Sequence, residues 1–105
     1  MSKPKSQKLV AEFIAKEFKP TSVGAWLLDF ESEVGELAKE WLKGSDYGRG
    51  ELELQEGWAE EMGDVFFVLL ALAEITDVDL EEALGKAINK YERRIENTGS
   101  AASGN

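Results

Sequence analysis

Four carboxylates stand out by their spacing. Glu33 with Glu36, and Glu61 with Asp64, form two i, i+3 pairs inside strongly apolar stretches. At 3.6 residues per turn, Trp58, Glu61, Val65, Val68 and Leu72 fall in one broad stripe, so Glu61 occupies a place where a core residue belongs. Burying an unpaired carboxylate costs several kcal/mol, and such a group calls for a cation or a hydrogen-bond donor. A divalent metal shared by the two pairs would meet that need. Acidic pairs alone say little, because others occur at 53/56, 74/77 and 79/82. The 53/56 pair reads as a solvated helix face, and Asp79 with Glu82 reads as a capping box. The two central pairs resist that reading: Asp64 lies at the edge of the stripe, and Glu33 flanks Trp26, Phe30 and Leu37. Their settings also match, since EVGEL and EMGDV each place Gly between the acids.

The residue types that are missing narrow the chemistry further. The chain has no Cys and no His. Thiol nucleophiles, disulfides, iron–sulfur clusters, thiolate zinc and imidazole catalysis are therefore excluded. Oxygen ligands select hard cations such as Mg²⁺, Mn²⁺ or Ca²⁺. The net charge of −9, from 21 acids against 12 bases, argues against nucleic acid as a partner. It does not argue against nucleotides, because a bound metal inverts the local field.

Four helices must position these groups, and no segment alternates like a strand. The first is expected over 6–18 and ends before Pro20, with Thr21 or Ser22 capping the second. The second runs over 23–43, where Val23, Leu27, Phe30, Val34, Leu37 and Trp41 form a coiled-coil-like seam. GSDYGRG (44–50) reads as a loop. The third is expected over 51–76, with VFFVLLALA apolar all round and therefore enclosed. The fourth begins at Asp79 and carries Leu80, Leu84, Ala87, Ile88, Tyr91 and Ile95 on its inner face. One domain is expected over 1–97, followed by a disordered tail over 98–105. A chain of 105 residues cannot cover the third helix alone, so a homodimer or homotetramer is expected. The start lacks a secretory signal, and the run 65–73 is far short of the ~20 residues that span a bilayer. A cytoplasmic protein with no membrane partner is the reading.

Further candidates surround the acids. On the fourth helix, Lys90 and Arg94 share one flank, where they suit either a polyphosphate or the helix macrodipole. Trp58, one turn before Glu61, can pack in the core or stack on a nucleobase. Tyr47 and Arg49 sit in a loop that could close over a ligand, although nothing in the sequence requires it.

Taken together, EVGELAKE, EEMGDVFFVLLALAEITDVDLEEAL and NKYERRI resemble the MazG family of nucleotide pyrophosphohydrolases, over residues 23–95. Its ExxE…ExxD signature falls on Glu33, Glu36, Glu61 and Asp64. The resemblance implies an all-α, four-helix bundle completed by homo-oligomerisation. It implies a Mg²⁺-dependent enzyme, with Mn²⁺ able to substitute, that splits a nucleoside triphosphate into monophosphate and pyrophosphate. Those four acids then match the metal-binding set, and Lys90 and Arg94 the phosphate contacts. Glu36 and Glu61 are the expected catalytic carboxylates, Glu36 as the acceptor of the proton from the attacking water. Trp58 is the expected substrate contact. One departure is visible: the family often has two adjacent acids where this chain has Ser32–Glu33. Glu31 is no substitute, because each residue turns the helix by roughly 100°. Related superfamily enzymes, dUTPase-like or acting on phosphoribosyl-ATP, and a non-enzymatic helical oligomerisation module remain as alternatives.

Overall fold

Each helix boundary follows from a local cause. The computed structural model describes residues 3–99, in the order α1 (Lys5–Glu17), α2 (Val23–Gly44), α3 (Glu56–Ile75) and α4 (Leu80–Thr98). All four elements are helical, and there is no strand among the described residues. The Ser22 hydroxyl caps α2 by accepting the Ala25 N–H at 3.1 Å. The Asp79 carboxylate caps α4 by accepting the Glu82 N–H at 3.0 Å. The Glu82 carboxylate meanwhile lies 3.4 Å from Lys86. Gly99 ends α4 in the left-handed region, and its N–H donates to the Ile95 carbonyl at 2.8 Å. The tail expected to be disordered lies, from residue 100 on, outside the described residues.

The third helix starts later than the sequence suggests. Residues 51–55 are not helical, because the chain turns back on the end of α2: the Glu53 N–H donates to the Gly44 carbonyl at 2.8 Å. A Cβ on Gly44 would come within 3.0 Å of the Glu53 carbonyl oxygen, so a glycine is needed where the two segments meet. Helix then begins at Glu56, an acid in the first turn that complements the helix dipole.

α2 and α3 pack along each other, and α1 packs on α3. Glu40 lies against Gly57 while Glu33 approaches Asp64, so α2 and α3 run antiparallel. The core is built from Val10, Trp26, Val68, Leu70 and Ala71, with Ile14, Phe30, Phe67, Leu72 and Leu80 packed around it. Phe13, Phe18, Trp26 and Phe67 form a linked aromatic cluster, with ring centroids 5.7 to 6.5 Å apart. Gln7, fully buried, ties α1 to the α3–α4 turn. Its amide donates to the Val78 carbonyl at 2.7 Å, and its oxygen accepts the Leu80 N–H at 2.7 Å. Lys3 reinforces the same corner, 2.9 Å from Asp77 and 3.5 Å from Glu74.

α4 contributes no buried residue. The radius of gyration is 17.0 Å, against about 13 Å for a compact chain of this length. The expectation that α3 is enclosed on all sides does not hold within one chain, because Met62 and Phe66 are half exposed. They border an apolar hollow of about 460 Å³ with Leu37, Val65 and Leu69. No helix among the described residues is long and apolar enough to cross a membrane.

Candidate metal centre

The antiparallel register brings the two acidic segments together midway along α2 and α3. Glu33, Glu61 and Asp64 each present an oxygen within 4.8 Å of the others. Glu33 and Glu61 are half-buried and Asp64 is exposed. The Glu61 Oε2 atom is buried and has no hydrogen-bond partner among the described residues. Burial, followed by repulsion from Asp64, Glu33, Glu36 and Glu40, pushes the Glu61 carboxyl above its usual range. Glu33 is also raised, first by burial and then by Asp64, Asp29 and Glu36. Three hard oxygen donors, one of them orphaned, suit a divalent cation such as Mg²⁺. The cation would supply the missing partner and cancel the repulsion.

Glu36 stands just outside this trio. It is half exposed, with Lys39 3.9 Å from its carboxylate, and its charge bears on both Glu33 and Glu61. Three of the four expected ligands therefore converge, and the fourth lies one turn away along α2. Trp58 is half-buried, one turn ahead of Glu61 on α3. Lys90 and Arg94 are not drawn to the acids within one chain, and no ion pair joins them among the described residues. Both instead lie over the Tyr91 ring, at 4.9 and 5.6 Å from its centroid.

Sequence reasoning missed Glu40 and the lysines beside it. Glu40 continues the acidic face one turn beyond Glu36, and its side chain is only 13% exposed. A Cβ on Gly57 would collide with its carboxylate, so the glycine on α3 makes room for it. Lys43 is 2.7 Å from Glu40 and is held protonated, first by that contact and then by Glu36 and Glu61. The available signal was the i, i+4 step from Glu36 to Glu40, matched by Gly57 four residues before Glu61. The glycines of EVGEL and EMGDV behave differently. A Cβ on Gly35 or Gly63 meets nothing within 4 Å, so neither is required by packing in one chain.

Comparison with known proteins identifies the family. The family model for the MazG nucleotide pyrophosphohydrolase domain matches residues 18–98. The uncharacterized protein YpjD of Bacillus subtilis (strain 168) is 35% identical over 88 residues, covering 81% of this chain and 75% of that protein. No solved structure gives a significant match. The helices that carry the acids lie wholly within the matched region, and the chain belongs to the MazG nucleotide pyrophosphohydrolase family.

Proposed function

We propose that the protein is a Mg²⁺-dependent nucleoside triphosphate pyrophosphohydrolase, releasing nucleoside monophosphate and pyrophosphate. The observation that carries this reading is the Glu33, Glu61 and Asp64 cluster with its orphaned Glu61 oxygen. Mg²⁺ or Mn²⁺ held there supplies charge neutralisation and polarisation of the triphosphate. Glu33, Glu61 and Asp64 would hold the ion. Glu36, half exposed beside them, is placed to accept the proton of the attacking water. The water oxygen bonds to the α-phosphorus, the bond to the bridging oxygen breaks, and pyrophosphate departs with the electron pair. Trp58, one turn from Glu61, is the proposed base contact.

The same proposal includes assembly into a homodimer or homotetramer in the cytoplasm. Support for assembly comes from apolar side chains left open in one chain: Leu84, Ile88, Tyr91 and Ile95 along α4, and Phe66 on α3. Lys90 and Arg94 ride on that same α4, so their proposed contact with phosphate depends on how copies come together.

The test is pyrophosphate release from a panel of ribo- and deoxynucleoside triphosphates, with Mg²⁺ and with EDTA. Mg²⁺-dependent release with matching monophosphate is expected, and Glu61→Gln is expected to lower it by at least 10²-fold. Release of single phosphate, or no turnover, would overturn the reading.

A further inference from the structure

Beside Glu36, on the side away from the trio, lies a polar basin of about 410 Å³ lined by Glu36, Lys39, Glu40, Leu42, Lys43 and Tyr47. It opens between the C-terminal half of α2 and the turn after it. The chain is strongly acidic, yet this basin gathers two lysines beside its two acids, and Arg49, paired with Asp46 at 3.4 Å, lies over the Tyr47 ring at 5.9 Å from the centroid. Side chains on a helix lean toward its N-terminus, so Lys39 and Lys43 lean toward Glu33 and Glu36. Along the axis Lys39 lies about 9 Å from Glu33, at roughly 1.5 Å per residue.

We propose that this basin is the subsite for the β- and γ-phosphates of the substrate, and therefore for the pyrophosphate product. Lys39 and Lys43 are the donors and Tyr47 supplies a phenol at the edge. The proposal rests on the pyrophosphohydrolase reading and assigns groups which that reading leaves unused.

Three features fit the role. Among the described residues each amine ion-pairs with a carboxylate of its own helix, Lys39 with Glu36 at 3.9 Å and Lys43 with Glu40 at 2.7 Å. Both amines are mostly exposed, and the long, open Lys39–Glu36 contact exchanges readily for a multiply charged anion. Glu40 is wedged against Gly57, so it anchors Lys43 at the wall of the basin instead of leaving it free in solvent. Tyr47 is held at the rim by a strained turn. Its φ is 58°, in the left-handed region that costs a bulky residue, and its N–H donates to the Leu42 carbonyl at 2.6 Å. The buried Ser45 fixes that turn, its hydroxyl donating to the Trp41 carbonyl and accepting the Gly48 N–H, both at 2.9 Å. The result is an aromatic side chain 64% exposed at the mouth of a basin whose two lysines are balanced by Glu36 and Glu40.

The test is calorimetric titration of the full chain with inorganic pyrophosphate in the presence of Mg²⁺. Lys43→Gln is expected to weaken binding at least tenfold and Lys39→Gln at least threefold, with Lys43→Arg within threefold of wild type. Nucleoside monophosphate binding should change less than twofold in all of them. Glu40→Gln combined with Lys43→Gln removes the acid that loses its partner, and it should lose the same affinity as Lys43→Gln alone. Wild-type affinity in Lys43→Gln or in the double variant, or no pyrophosphate binding by wild type, would overturn the subsite. The two readings fail separately. Lysine-dependent pyrophosphate binding by a protein that hydrolyses no triphosphate would sink the hydrolase and leave the subsite. Hydrolysis with product affinity indifferent to both lysines would do the reverse.

Discussion

Glu61 sets the energetic problem of the site. Its carboxyl and that of Glu33 are both raised above the ordinary value of 4.5, so between that value and their raised values the folded chain binds more protons than the unfolded one. These two groups therefore make the metal-free protein less stable as pH rises through that window. Asp77 does not obscure the effect. Its carboxyl is lowered by Lys3, and the stability it contributes is lost only below its unfolded value of 3.8. A divalent ion bound at the cluster would reverse the penalty by favouring the charged form. Thermal unfolding with and without Mg²⁺ should show a rise in Tm at about pH 7.5 that fades as pH falls toward the ordinary carboxyl value of 4.5; a rise that does not diminish on acidification would contradict the assignment. The misplacement of Glu61 was visible in the sequence because helical periodicity alone exposes an acid within an apolar stripe. Glu40 was not, since its burial depends on Gly57, and only the register of α2 against α3 makes those two neighbours.

At the scale of elements, the corner between α1 and the start of α4 carries more weight than its polarity suggests. Gln7 satisfies the Leu80 N–H, one of the first amides of α4, and the Val78 carbonyl with a single buried side chain. Gln7→Ala would leave both groups unpaired in a dry setting, and a loss of about 2–3 kcal/mol in denaturant unfolding is expected. An unchanged midpoint and slope would show that the corner rearranges freely. The sequence could not show this contact, because nothing in a glutamine on an otherwise apolar face names its partner some seventy residues on. Helix limits were more legible: Pro20, Ser22 and Asp79 act through neighbours along the chain. The start of α3 was misread because residues 51–55 are held by Gly44, a contact across the loop that outweighs their capacity for helix.

For the whole molecule, the notable fact is how much apolar surface a single copy leaves open. Leu84, Ile88, Tyr91 and Ile95 repeat at helical spacing on a helix with no buried residue, and each is at least 43% exposed. Light scattering should give a mass that is a multiple of 11.6 kDa, and Ile88→Glu should reduce it toward one copy. A wild-type protein of 11.6 kDa would remove assembly from the account. The same incompleteness was readable from the all-apolar VFFVLLALA segment, whereas the direction in which α4 leaves the core was not.

The family match begins at residue 18, after α1 has ended. Val10 and Ile14 nevertheless pack into the core, and Gln7 completes the start of α4. A fragment cut to the matched boundary would lose the peptide that seals one side of α3, and its last helix would begin on an unanswered amide. In engineering terms, the portable unit is longer than the recognisable one, and a chimera made by swapping the matched region alone would inherit the acidic cluster without its foundation.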